Sequence, residues 1–208
     1  MRNFITYIDS IIFDNIFFYN IFLFITKGKS LKSLISKKDI IFITGYPRSG
    51  NTYLTRLFKS LFPDIKISSH IHTLSAVKYS QKKGLNILVV HRDIEDCVSS
   101  LVLKNYLKYK KSKTLIYLLM QRHIRFYRYC EKENLEIISF NDLTQRPESV
   151  IKKICKKIGR TPPEGLDFFV KNVTNTLYID KRNKLSATFP NKEKEINKTL
   201  LKELIKEI

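Results

Sequence analysis

The stretch "DIIFITGYPRSGNTYL", residues 39–54, constrains the architecture of this chain more than any other. Its first half is a continuous apolar run of the kind that forms a strand buried on both faces. The run stops at Gly45, and a second glycine, Gly50, comes after four intervening residues, with Thr52 two places further on. That is P-loop spacing at a strand-to-helix junction. Backbone N–H groups and the positive end of a helix dipole converge there on one point, where an anion binds. Arg48, Ser49, Asn51 and Thr52 add donors around it. A nucleoside triphosphatase carries a lysine where this chain has Asn51, and the next strand, "LVVHRD", ends on His91 and Arg92 instead of an acidic magnesium ligand. Both departures point to a phosphate donor held without a terminal phosphate and without a metal.

Beyond the cradle the chain alternates helix and strand. Leu54, Leu57, Phe58 and Leu61 recur at helical spacing up to Pro63. Residues 64–70 and 86–92 read as strands, and Asp93 can cap a helix whose inner face carries Cys97, Val98, Leu101 and Val102. A long helix is expected over 114–133 and a strand over 136–140. A further helix starts at Pro147 and stops at Gly159. This order implies a three-layer, P-loop-like α/β fold, a parallel sheet covered by helices on both faces. Residues 39–208 form that domain. Residues 1–38 precede it as a hydrophobic segment and a lysine- and serine-rich connector. Most of the basic, asparagine-rich tail reads as a loop over the domain, up to a short amphipathic helix near Leu200 to Ile208.

The hydrophobic segment, residues 4–26, is close to spanning length, but Asp9, Ser10, Asp14, Asn15 and Asn20 interrupt it on no single face. A helix packed on the domain or lying in a membrane interface is the preferred reading. Were it to span, the lysines at 27, 29, 32, 37 and 38 would hold the domain in the cytoplasm. No small-residue cleavage site comes after it, which argues against a secretory signal. Lys and Arg total 38 against 19 Asp and Glu, a formal charge of +19, which favours an anionic partner. Cys97, Cys130 and Cys155 are widely spaced and fit neither zinc nor a disulfide framework, so a reducing, cytoplasmic setting is expected.

Three blocks, in order over residues 39–160, resemble one family. "YPRSGNTYL" (46–54) is similar to the 5′-phosphosulfate loop of sulfotransferases that use 3′-phosphoadenosine 5′-phosphosulfate (PAPS). "VVHRDIEDCVSS" (89–100) resembles their 3′-phosphate site, in which an arginine at a strand end precedes a serine by eight residues. "ISFNDLTQRPESVIKKICKKIG" (138–159) resembles their strand–loop–helix segment. The resemblance implies a sheet of about five strands and transfer of a sulfuryl group from PAPS to a hydroxyl or amine. Arg48, Ser49, Gly50, Asn51 and Thr52 would hold the 5′-phosphosulfate, and Arg92 and Ser100 the 3′-phosphate. Arg48 would also stabilise charge on the bridging oxygen. In the cytosolic branch of the family a histidine after a strand is the base, and His70 corresponds, 22 residues before Arg92. His72 is the second candidate; His91 and His123 read as structural or surface residues.

This chain departs from the family pattern at Ser68, where a lysine is usual, and at Asn141, where a glutamate is. Its C-terminal "DKRNKLSATF" (180–189) carries Lys181, Arg182 and Lys184 but no glycine or tryptophan. From Lys104 to Cys130 there are eight Lys or Arg and no acidic residue, and Arg122, Arg125 and Arg128 recur on the long helix. They read either as a solvated face or as a surface for an anionic acceptor or lipid headgroups. The alternative functions are a P-loop nucleotide kinase or hydrolase and a non-catalytic nucleotide or anion binder. No nucleic-acid motif is present, so no nucleic-acid partner is expected. The acceptor stays open among saccharide, lipid and small alcohol, with peripheral membrane contact through residues 4–26 as a further expectation.

Overall fold

Strands β1 (Ile41–Thr44), β2 (Ile67–Ser69), β3 (Asn86–His91) and β4 (Glu136–Ser139) form one parallel sheet in the order β2-β1-β3-β4. They belong to a computed structural model that describes residues 2–36, 40–104, 113–175 and Glu203. Apart from Glu203, the expected C-terminal helix lies outside the described residues, as do Lys181, Arg182, Lys184 and the end of the connector. Among the described residues the sheet has four strands, not the expected five or so. After β4 the chain goes on directly as a helix. Ser139 Oγ accepts from the N–H groups of Asn141 (3.2 Å) and Asp142 (3.5 Å), which turns Phe140 into the first residue of a short helix.

Alternation along the central strands builds two cores. Phe42, Ile87 and Val89 face one side, and Ile41, Ile43, Leu88 and Val90 the other. The second side is covered by α4 (Asn51–Leu61), by α9 (Pro147–Lys157) and by a helical stretch over 166–175. Leu57 and Phe58 of α4 are fully buried there, each contributing about 2 kcal/mol of apolar burial. The first side is covered by α2 (Ile16–Lys27), α5 (Leu74–Lys82), α6 (Ile94–Lys104) and α7 (Lys113–Lys132). Helix α5 is not among the elements expected from the sequence; Thr73 caps it by accepting from Ala76 N–H at 3.3 Å. The short helices are α3 (Leu31–Leu34) and α8 (Phe140–Gln145).

The polar interruptions in the N-terminal segment have structural uses. Asn15 ends α1 (Arg2–Asp14) and caps α2, accepting from Phe17 N–H at 2.9 Å, and the two helices bend by 83°. Asn20 accepts from Leu31 N–H at 2.8 Å. Asp9, only 6% exposed, is gripped by Arg122 and Arg125, and Asp14 meets Arg125 Nε at 2.9 Å. Arg122 and Arg125 are therefore neither a solvated face nor an open anion surface; they clamp α1 to α7. Among the described residues no single helix is long and apolar enough to cross a membrane, although residues 7–14 and 16–27 together reach that length and composition.

The chain runs from β1 to β2 on one side, while β3 pairs with β1 on the other. A crevice opens at the carboxyl ends of β1 and β3, the position where open α/β sheets bind ligands. Gly45 leaves β1 there and Arg92 leaves β3.

Candidate active site

The cradle is shaped by contacts within the protein. Gly45 has φ +152° and Gly50 φ +106°, and a Cβ on either would collide: on Gly45 with the Val90 carbonyl, on Gly50 with the Phe140 ring at 2.7 Å. The glycines let the loop lie on β3 and α8. Tyr127 secures the same turn from α7, its hydroxyl accepting from Tyr46 N–H (3.0 Å) and donating to the Val90 carbonyl (2.7 Å). Burial pushes that phenol's pKa up, so it remains protonated as the second bond requires.

Inside the loop, Asn51 faces inward. Its amide nitrogen donates to the carbonyls of Gly45 and Tyr46 and to Ser49 Oγ, at 3.1–3.3 Å, and its own Oδ1 is buried without a partner among the described residues. Ser49 is likewise buried. What these two positions, with Gly50 and Thr52, turn toward the crevice is the start of α4. The N–H groups of Gly50, Asn51 and Thr52 meet no backbone acceptor among the described residues, and no side chain caps the helix.

Arg48 and Arg92 approach this point from two elements. Arg48 Nε donates to Ser100 Oγ at 2.9 Å, and Arg92 Nη1 donates to the Arg48 carbonyl at 3.3 Å. Arg92 also lies over the Phe140 ring, 4.5 Å from its centroid, and pairs with Asp96 at 3.1 Å. Asp96 is thus an ion-pair partner of Arg92. Partial burial and then the charge of Arg92 lower the Arg48 pKa.

His70 and His72 come after β2. His72 Nδ1–H donates to the Gly45 carbonyl at 2.7 Å, leaving Nε2 as the unprotonated nitrogen. Burial lowers its pKa to about 4. His70 is exposed, its ring 6.4 Å from that of His72, and its pKa is lowered by partial burial and then by Lys59 and Arg56. Both line a cleft of about 540 Å³ together with Tyr46 and Pro47. Three of the described non-glycine residues have φ in the left-handed region, and two of them are Arg48 (+75°) and His70 (+67°). Such backbone costs of order 1–3 kcal/mol each and collects at functional sites. His123 is buried, its Nε2 3.0 Å from the Arg92 carbonyl, while His91 stacks edge-on against Tyr127; both are structural. Among the described residues no group of three His, Cys, Asp or Glu comes together as metal ligands would.

The family model described as "Sulfotransferase domain" matches residues 63–204, more than half of the chain. The protein belongs to the sulfotransferase domain family. The matched span holds His70, Arg92 and Ser100 and begins after the cradle. Among solved structures, a mouse sulfotransferase, SULT7A1, complexed with PAP shares the fold at a TM-score of 0.53 and 14% identity. The alignment covers 69% of this chain and 66% of the mouse chain, so this chain spans just under two thirds of that relative's length. No curated protein matches it. Within this family member, all seven residues expected to hold the donor lie around one crevice. Two further residues around it, Tyr127 and Phe140, are not among those the sequence singled out. Tyr127 is visible there only as an aromatic among arginines. Phe140 stands in the third family block, where its packing against a glycine 90 residues earlier leaves no local signal.

Proposed function

We propose that this sulfotransferase transfers a sulfuryl group from PAPS to a hydroxyl or amine acceptor. The observation that carries the reading is the convergence of Arg48 and Arg92 beside the unpaired N–H groups that open α4. Two guanidiniums and a bare helix N-terminus make a site for a doubly phosphorylated ligand. The residues present fit the donor. Arg48 and the N–H groups of Gly50, Asn51 and Thr52 would hold the 5′-phosphosulfate, with Ser49 and the Asn51 side chain bracing the loop behind them. Arg92 and Ser100 would hold the 3′-phosphate, with Phe140 and Asp96 keeping the Arg92 guanidinium in place.

PAPS supplies an activated sulfuryl group on a phosphate leaving group. Arg48 offers a fixed cation where charge gathers on the bridging oxygen, a role that electrostatic preorganisation makes large. His70 takes the acceptor's proton: it sits exposed on the cleft, and its lowered pKa keeps it unprotonated near neutral pH. His72 holds the cradle through Gly45. The bond from sulfur to the leaving phosphate breaks as the bond from sulfur to the acceptor oxygen forms, and 3′-phosphoadenosine 5′-phosphate (PAP) departs. No metal has a part in these steps. The reading includes a cytoplasmic, peripheral location in contact with membrane through residues 4–26, consistent with three buried, unbridged cysteines.

Radiosulfur-labelled PAPS incubated with a panel of hydroxyl acceptors in EDTA tests this. Label should move to an acceptor with wild type and not with Arg48→Ala. Turnover of Mg·ATP by the same protein, without PAPS use, would replace the proposal by a nucleotide kinase or hydrolase.

A further inference from the structure

Apart from Asn20, which accepts from Leu31 N–H, helix α2 is apolar all round up to its last turn, which in a folded protein calls for burial on all sides or for contact with lipid. Its inner side is buried, at Tyr19 and Leu23. Its outer side is not. Phe17, Phe18, Ile21, Phe24 and Ile25 recur on one face, and Phe24 and Ile25 are 72% and 76% exposed. Large apolar side chains exposed together on one face mark an interaction surface. Lys27, Lys29 and Lys32, all exposed, come directly after the apolar face. An apolar helix face ending in a cluster of cations suits the boundary of an anionic bilayer, where side chains enter the acyl region and lysines meet headgroups.

The attachment of the pair to the domain supports the same partner. The acidic groups of α1 point inward, to Arg122 and Arg125, and Lys78 Nζ donates to the Asp14 carbonyl at 2.8 Å. Negative charge is therefore withdrawn from the outer surface, where the apolar side chains stay, with the exposed lysines beside it. A second copy of this chain, itself strongly basic, would bring like charge to that face.

The inner side of the same helices walls the cleft. Phe13, Tyr19 and Leu23 line it in company with His70, and Lys27 and Lys29 line it as well. One helix thus has an apolar surface on one side and, on the other, a wall of the cleft that also holds the candidate base. We propose that α2 docks on an anionic bilayer and that the cleft behind it receives the hydroxyl headgroup of an amphiphile from that bilayer. The second half rests on the sulfuryl-transfer reading; the first does not.

The test uses the full chain with vesicles of phosphatidylcholine, alone or mixed with phosphatidylglycerol, whose glycerol headgroup bears free hydroxyls. Wild type should sediment at least ~10-fold more with the anionic vesicles, and added salt should weaken this. The double variant Phe24→Asp, Ile25→Asp should lose that binding while keeping the thermal shift that PAP produces. Equal sedimentation with both vesicles, or unchanged binding by the variant, overturns the docking surface. So does a wild-type dimer that the variant converts to monomer without any vesicle binding, since a second copy would then own the face. With radiosulfur-labelled PAPS, label should enter phosphatidylglycerol in vesicles at least ~10-fold faster than free glycerol. Absent or equal transfer overturns the amphiphile acceptor. A PAP thermal shift that survives such a failure leaves the donor reading standing, and loss of that shift in wild type is the separate failure of the donor reading.

Discussion

Arg48 donates to Ser100 across the crevice at 2.9 Å, tying the cradle to α6. The bond is made by a residue whose backbone is in the left-handed region, at φ +75°. The side chain and the backbone of Arg48 therefore make opposite contributions. Arg48→Gly should relieve backbone strain and leave thermal stability unchanged or raised by about 1 kcal/mol. The same change should lower turnover by roughly 10²–10³-fold, the range for losing one preorganised charge-stabilising group. A stability scan beside single-turnover kinetics checks both. Loss of folding together with activity would mean that Arg48 is held for structural reasons.

The two histidines after β2 separate by pH as well as by mutation. His72 has a folded-state pKa of about 4 against the ordinary 6.5, so the unfolded chain binds its proton first. Its neutral form supports the fold above pH 6.5, and that support is lost as pH falls from there toward 4. His123, also near 4, adds to the same slope. His72→Gln should flatten the acid side of the stability profile while turnover at neutral pH falls little. His70→Ala should cut turnover by ~10²-fold or more with PAP binding nearly intact. The reverse pattern, turnover lost in His72→Gln and retained in His70→Ala, would move the base to His72.

The clamp between α1 and α7 is exposed to the loss of one partner. Asp9→Ala leaves Arg122 and Arg125 facing a nearly buried site without their shared carboxylate. Stability should drop by roughly 3 kcal/mol, as when one member of a buried ion pair is removed. Asp142→Ala, which removes an exposed ion pair with Arg146, should cost well under 1 kcal/mol. Urea denaturation compares the two; equal effects would mean that the α1 clamp is no stronger than a surface pair.

The elements legible in the sequence were those set by local chemistry. The apolar run before Gly45, the helical spacing from Leu54 to Leu61, and Pro147 opening a helix all appear within a residue or two of expectation. The cradle was legible because its glycines are forced by close packing, although the atoms that force them, the Val90 carbonyl and the Phe140 ring, lie far along the chain. The use of Arg122 and Arg125 was not legible. Their partners are more than 100 residues away, and a run of cations without nearby acids looks solvated until α1 folds back on it. The described residues hold four strands instead of about five because that number came from the family resemblance, while the residues themselves offered four strand-like runs, the last ending on a capping serine.

The donor assignment is tested most directly by calorimetric titration of PAP and of adenosine 5′-phosphate in EDTA, on wild type and Arg92→Ala. Arg92 is held between Asp96 and the Phe140 ring at the end of β3, a place and charge suited to a 3′-phosphate. Wild type should bind PAP without metal and prefer it over adenosine 5′-phosphate by well over ~10-fold. Arg92→Ala should shrink that preference by weakening PAP alone, by about 1.5–3 kcal/mol. Binding of PAP only with Mg²⁺, or an equal loss of both ligands in Arg92→Ala, would contradict the account.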